Sequence, residues 1–341
     1  CGGNSMNFGQ FLLRRLFLMV IVLFGVACIV FFIANVIPAD PVGAILGGNA
    51  PPEAVDRLKA KLGYDQPLAI RFVNFITGAV RGDFGVSLKT SNPVMKDIMN
   101  YFPATMELAL VAIIISIFLG ITLGILSAVH RNKAIDQFSR VFSILGVSMP
   151  VFWIGLLLLL VFYFKLGWLP GSGRLGFFTN PPPRVTGMYL IDSIIAGQWD
   201  TFKEALMHIL LPAFVLGYNA TASIARITRA SMLDVLRQDY IRTAKSKGLR
   251  KNIVIYRHAL RNSLIPTVTI IGLVFGGLLE GAVLTETVFS WPGLGRYITT
   301  GMLFLDYPAI MGGTLYIAFI YSIANLIVDI LYALLDPRMR M

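Results

Sequence analysis

Six long apolar runs, at 16–37, 104–129, 141–164, 207–227, 264–288 and 309–335, alternate with polar stretches along the chain. Each reaches the ~20 residues a helix needs to cross a hydrocarbon core. The pattern predicts an all-α integral membrane domain over residues 6–341 with six transmembrane helices. Residues 1–5 read as a remnant ahead of a natural start at Met6. One polar stretch stands apart. Residues 231–262 carry a dense run of Lys and Arg, with Ile, Met and Leu recurring near helical spacing. They predict a continuation of the fourth span, then a short helix capped by Asp239 and ended by Gly248. A third helix follows, with Asn252 as its cap, rising into the fifth span.

The polar stretches 38–103 and 166–205 are longer than connections require. The first predicts a surface helix with Asn49 as N-cap, Pro51-Pro52 at its start and Gly63 at its end. Amphipathic pieces follow at 68–80 and 94–101. The second opens on turn-forming residues and Pro181-Pro182-Pro183, then a short apolar piece at 188–195. Both suit a lid or docking surface, and equally a cap over helix ends.

Composition agrees with the pattern: 56% of the 341 residues are hydrophobic and 14% charged, against ~25% charged in soluble domains. The net charge of +11 is topological. With the N-terminus inside, the inner segments hold seventeen Lys/Arg against four acids, while the outer ones hold twelve of each sign. Both termini are therefore expected to be cytoplasmic, and the positive charge requires no nucleic acid. Arg14-Arg15-Leu16-Phe17-Leu18 fits a twin-arginine export pattern and Ala27-Cys28 a lipoprotein cleavage site. The apolar run continues past Cys28 with no small-x-small site, which predicts an uncleaved first span. Two cysteines and three scattered histidines lack metal-ligand spacing. There is no Gly-Lys pair and hence no P-loop, no His-Glu-x-x-His and no Gly-x-Ser-x-Gly, so neither ATP chemistry nor hydrolysis is expected of this chain.

Ionisable residues are costly in a bilayer, which singles out Glu280 and Asp329. Glu280, beside Gly276, Gly277 and Gly281, is a candidate pathway residue with Asn219 and Asn325; helix-bridging roles stand as alternatives. Asp329 is expected to pair with Arg338 or with an arginine of the inner segment. The glycines of 272–281 suggest close helix approach or a constriction. Trp291, Pro292, Gly293 and Gly295 form a turn suited to an outer gate or docking point, or to a simple re-entrant turn.

From composition alone, the 231–262 segment fits a protein groove and an anionic lipid surface equally well. Its residue order favours the first. Asp239-Tyr-Ile-Arg-Thr-Ala-Lys-Ser-Lys-Gly248, then Arg257-His-Ala-Leu-Arg-Asn-Ser-Leu-Ile-Pro266, resembles the coupling loop of ABC importer permeases in its dipeptide/oligopeptide version. Arg242-Thr243-Ala244 stands where the general family has Glu-Ala-Ala. Further stretches similar to that branch run along the chain: Ile37-Pro-Ala-Asp-Pro41, Leu62-Gly-Tyr-Asp-Gln-Pro-Leu68, Arg81-Gly-Asp-Phe-Gly-Val-Ser87, Ser148-Met-Pro-Val-Phe-Trp153, Glu286-Thr-Val-Phe-Ser-Trp-Pro-Gly-Leu-Gly-Arg296 and Asp336-Pro-Arg338.

The resemblance implies a type I ABC importer permease, the first of two permease subunits, with a helical extracytoplasmic insertion between spans one and two. It implies a bacterial inner membrane setting, a second homologous permease, two cytoplasmic ATPases holding ATP and Mg, and an extracytoplasmic binding protein, all in membrane lipid. No cofactor is expected on this chain. Asp239, Tyr240, Arg242, Thr243, Ala244, Lys245, Gly248 and Leu249 would form the ATPase-coupling site. The implied cargo is a small peptide, with a lean toward dipeptides; nickel chelates, glutathione, haem or opines are alternatives. A proton-coupled secondary carrier using Glu280 and Asp329 is the rival class.

Overall fold

The computed structural model describes residues 8–36, 51–63 and 65–335. Within them every regular element is helical, apart from one isolated bridge between Val86 and Pro93. The chain divides into two compact units, residues 1–105 with 292–341, and residues 106–291.

Of the first unit, α1 (Phe8–Val36) packs along the last helix, α12 (Tyr307–Leu335), and Arg15 Nη1 meets Asp329 Oδ2 at 3.0 Å. The expected partner for Asp329 is thus replaced by Arg15, because the helix packed against α12 is α1; Arg338 lies outside the described residues. The surface helix α2 (Pro52–Leu62) starts with Pro51 in the cap position, not Asn49, which also falls outside them. Pro at the first helical position carries no N–H to leave unsatisfied, so no side-chain cap is needed there. Helix α3 (Leu68–Val80) lies on α1 through Phe72, whose ring is 5.2 Å from that of Phe31.

The amphipathic piece at 94–101 is not a separate element. It is the first turns of α4 (Val94–Val129), which continues through Pro103 as the second span. The third apolar run is not a straight rod either: α5 (Ala134–Ser148) and α6 (Val151–Leu158, extended by a π-helical stretch Leu159–Lys165) are bent by 116°. Pro150 forces its predecessor out of the α region, and Met149 sits at φ −90°, ψ 136°. After α7 (Tyr189–Ile195) come α8 (Trp199–Leu236), α9 (Asp239–Ser246), a π-helical stretch Ile253–Ala259, α10 (Leu260–Val288) and α11 (Leu294–Leu303). Among the described residues, five helices are long and apolar enough to cross a membrane, six if the bent pair forms one span.

Helix α8 is the axis of the second unit and packs on α10, α5 and α7. It also meets α4 at close range. A Cβ on Gly120 would lie 2.7 Å from Ile224 Cγ2, and one on Gly124 2.6 Å from Thr228 Cβ. The Gly-x-x-x-Gly spacing lets the backbones meet, since helix association in lipid depends on packing of small residues. In α10, Gly277 faces open space and Gly281 makes an ordinary contact with Leu216, so neither of these two has that role.

Candidate functional site: the coupling segment and its anchors

Helix α8 ends at Leu236, and Gln238 turns the chain with an extended conformation (φ −69°, ψ 150°). Asp239 is then the first helical residue of α9, not its cap, and makes no capping bond. The helix stops as expected. Gly248 sits at φ +75°, its N–H donating to the Lys245 carbonyl at 3.0 Å, a left-handed position that favours glycine. Asn252 is helical (φ −64°, ψ −39°) and caps nothing, because the next helix already begins at Lys251.

Two faces of α9 are distinct. Ile241 and Ala244 are buried, at 0% and 7% exposure, in a cluster with Ile125 and Ala128 of α4, Met232 of α8, and Val254, Ile255 and Ala259. Asp239, Tyr240, Arg242, Thr243, Lys245, Gly248 and Leu249 are exposed. Tyr240 Oη accepts a hydrogen bond from Asn262 Nδ2 at 2.8 Å, tying the outer face of α9 to α10. Of the eight coupling candidates, seven are therefore exposed, five on α9 and two just past its end, while Ala244 packs against its own chain.

A charge network beside this cluster braces it. Asp136, with no exposed surface, accepts from Arg229 Nε at 2.7 Å, Arg229 Nη2 at 3.0 Å, Arg140 Nη2 at 3.0 Å and the Asn132 N–H at 2.9 Å, and also from the Ser127 hydroxyl. It ties the ends of α4, α5 and α8 together next to the root of α9. Sequence reading counted Asp136 only as one of four inner acids. Its signal was being an isolated carboxylate three residues past Lys133 and four before Arg140.

At the far end of the second unit, Glu107 of α4 holds the 166–205 loop. Glu107 Oε2 accepts from Arg174 Nη2 at 2.5 Å and Oε1 from the Leu190 N–H at 2.7 Å. The Arg174 guanidinium also donates to the Gly187 carbonyl and stacks 3.5 Å above the Tyr189 ring. Trp291 is buried with its ring 5.7 Å from the same guanidinium. Asp192 gathers the N–H groups of Val185, Thr186 and Gly187 and the Thr186 hydroxyl. Burial pushes its pKa up, but these hydrogen bonds outweigh burial and hold it below the usual carboxylate range.

Of the remaining gate candidates, Pro292, Gly293 and Gly295 begin the second stretch of the first unit. Gly293 precedes α11, Gly295 is buried in it, and the Leu294 N–H donates to Thr105 Oγ1 at 2.8 Å. Asn219 Nδ2 donates to the Gly146 carbonyl at 3.3 Å, joining α8 to α5. Asn325 is half-buried on α12 and Glu280 lies on α10.

The chain that carries these elements matches a known family model. Residues 120–341 fit the binding-protein-dependent transport system inner membrane component, and residues 8–109 its N-terminal companion. The chain belongs to this family. As an ABC importer permease it has relatives aligned over nearly its whole length. A probable D,D-dipeptide transport permease of Escherichia coli K12 is 43% identical, covering 98% of each chain. A dipeptide transport permease of Alkalihalophilus pseudofirmus is 44% identical, covering 96% of this chain and 98% of its own. A glutathione transport permease of Escherichia coli O1:K1 is 37% identical, covering 97% and 99%. The permease is thus a multi-pass inner membrane component.

Proposed function

We propose that this permease moves small peptides, dipeptides first among them, from the outer side of the membrane to the cytoplasm by alternating access. It would do so with a second homologous permease, two ATPases and a binding protein that selects the cargo. The observation carrying the cargo reading is the 43–44% identity, end to end, with permeases named for dipeptide transport. In this reading both termini and α9 are cytoplasmic, and the exposed face of α9 sits in an ATPase groove. Because Ile241 and Ala244 are packed on α4 and α8, closure of the ATPases is passed to those helices as rigid-body motion. Glu280 and Asn325 remain candidates for contact with the cargo. Asn219 already spends one amide hydrogen on α5, so its contribution there is smaller.

The test is uptake of labelled dipeptide, glutathione and a nickel chelate by vesicles containing the reconstituted importer and its binding protein. Dipeptide uptake that follows internal ATP and ignores an uncoupler is expected. Uptake abolished by the uncoupler with ATP intact would make the protein a secondary carrier, and a preference for glutathione would replace the cargo.

A further inference from the structure

One face of α8 carries a crevice that the coupling function does not use. At the N-terminal end of the helix, Asp200, Lys203, Glu204 and Met207 border a cavity of about 480 Å3 with Tyr163 and Trp168. Further along, Leu210, Leu211 and Phe214 border a second cavity of about 490 Å3 with Phe118, Leu158 and Phe162, and no charged residue lines it. Positions 200, 203, 204, 207, 210, 211 and 214 repeat at three and four, so they form one stripe of one helix. Leu169 borders both cavities. The stripe therefore changes from charged to wholly apolar along a continuous face.

Its dimensions match a lipid leaflet. From Asp200 to Phe214 the helix rises about 21 Å at ~1.5 Å per residue. A headgroup layer of ~6 Å and half of a ~30 Å hydrocarbon core give the same depth. Tyr163 and Trp168 stand at the charged end, where amphipathic rings gather at membrane interfaces. The charges select the headgroup. Glu204 is already engaged by the Gly176 N–H at 2.7 Å and by the Thr179 hydroxyl, which leaves exposed Asp200 and Lys203 as an acid and a base side by side. A π-helical stretch divides its residues between the two cavities, Phe162 to the apolar one and Tyr163 to the polar one.

We propose that this crevice binds one phospholipid of the phosphatidylethanolamine type. Its ammonium lies at Asp200, its phosphate at Lys203 and an acyl chain along Leu210 and Phe214. A peptide fits the charges but not the depth, because its amide groups would meet no polar partner in the lower cavity.

The test uses the complete importer, purified, stripped of lipid and incubated with phosphatidylethanolamine, phosphatidylcholine or phosphatidylglycerol of identical chains. Bound lipid is counted by native mass spectrometry. One retained phosphatidylethanolamine is expected, roughly tenfold over phosphatidylglycerol, with the preference lost in Asp200→Asn and Lys203→Gln because an interfacial charge pair has been removed. Leu210→Trp, which fills the apolar groove and leaves the headgroup residues intact, should lower retention of all three. Equal retention of the three lipids by the unaltered protein would overturn the proposal, as would retention unaffected by Leu210→Trp. So would a photoreactive side chain at position 210 that captured dipeptide or the second permease subunit in place of lipid.

Discussion

Enlarging Ala244 separates two roles that its place in the coupling segment would otherwise merge. The methyl group is 7% exposed and enclosed by Ile125, Ala128, Met232, Val254 and Ile255, so Ala244→Leu adds three carbons to a filled space. Overpacking of this kind costs about 1–3 kcal/mol, and here it also pushes α9 off α4 and α8. Lys245, one residue on, is exposed, and Lys245→Glu should change stability by no more than about 0.5 kcal/mol. Thermal unfolding of the purified permease reads the first quantity. Co-purification of the ATPases and substrate-stimulated ATP hydrolysis read the second. The expected pattern is a lowered midpoint for Ala244→Leu without its partners present, and a normal midpoint with impaired ATPase association for Lys245→Glu. An Ala244→Leu protein of unchanged midpoint that still failed to hold the ATPases would refute this reasoning, since it would place Ala244 on the partner-facing side.

Other sites give independent outcomes. Asp136→Asn leaves Arg229 facing a neutral amide where it had two charge-assisted bonds, and a loss of about 3–5 kcal/mol is expected from breaking such a buried pair, measured as reduced thermal stability. Glu107→Gln weakens the hold on Arg174 and Leu190, so protease cleavage within 171–188 should rise while α9-dependent ATPase association stays normal. Asp192 titrates lower in the folded state than in the unfolded one, so its anchoring is complete above the unfolded carboxylate value of about 4 and is lost as the pH falls through the folded value. Cleavage of the same loop should be flat from pH 8 to 5 and increase only in stronger acid, whereas Asp192→Asn should open the loop at neutral pH. Gly248→Ala meets no atom within 4 Å, so its cost is backbone strain alone, about 1–2 kcal/mol at φ +75°. Hydrogen exchange of the α9 amides would register it.

The apolar runs and the left-handed stop at Gly248 were legible in the sequence because each rests on local chemistry: continuous hydrophobicity, and a residue without Cβ. What escaped depended on neighbours distant in the chain. Whether Ala244 faced inward was undecidable without knowing that the ends of α4 and α8 lie beneath it. Arg15 as the partner of Asp329 required the pairing of the first and last helices. The close crossing at Gly120 and Gly124 depended on what lies opposite those two glycines, Ile224 and Thr228 of α8. The bend at Met149 was encoded by Pro150, but hydropathy read the flanking residues as one uninterrupted run.

The widened helical stretch Ile253–Ala259 has a consequence for chain length. Removing one residue from an α-helix turns everything beyond it by about 100° and draws it in by ~1.5 Å. A π turn already holds a residue more than an α turn needs, so a single deletion inside 253–259 is absorbed by tightening the coil, and α10 keeps its angular setting. The same deletion a few turns later in α10 would swing its buried stripe away from α8. Immediately behind the coupling helix, the chain therefore carries one residue of slack, in a region where rotational register otherwise has none.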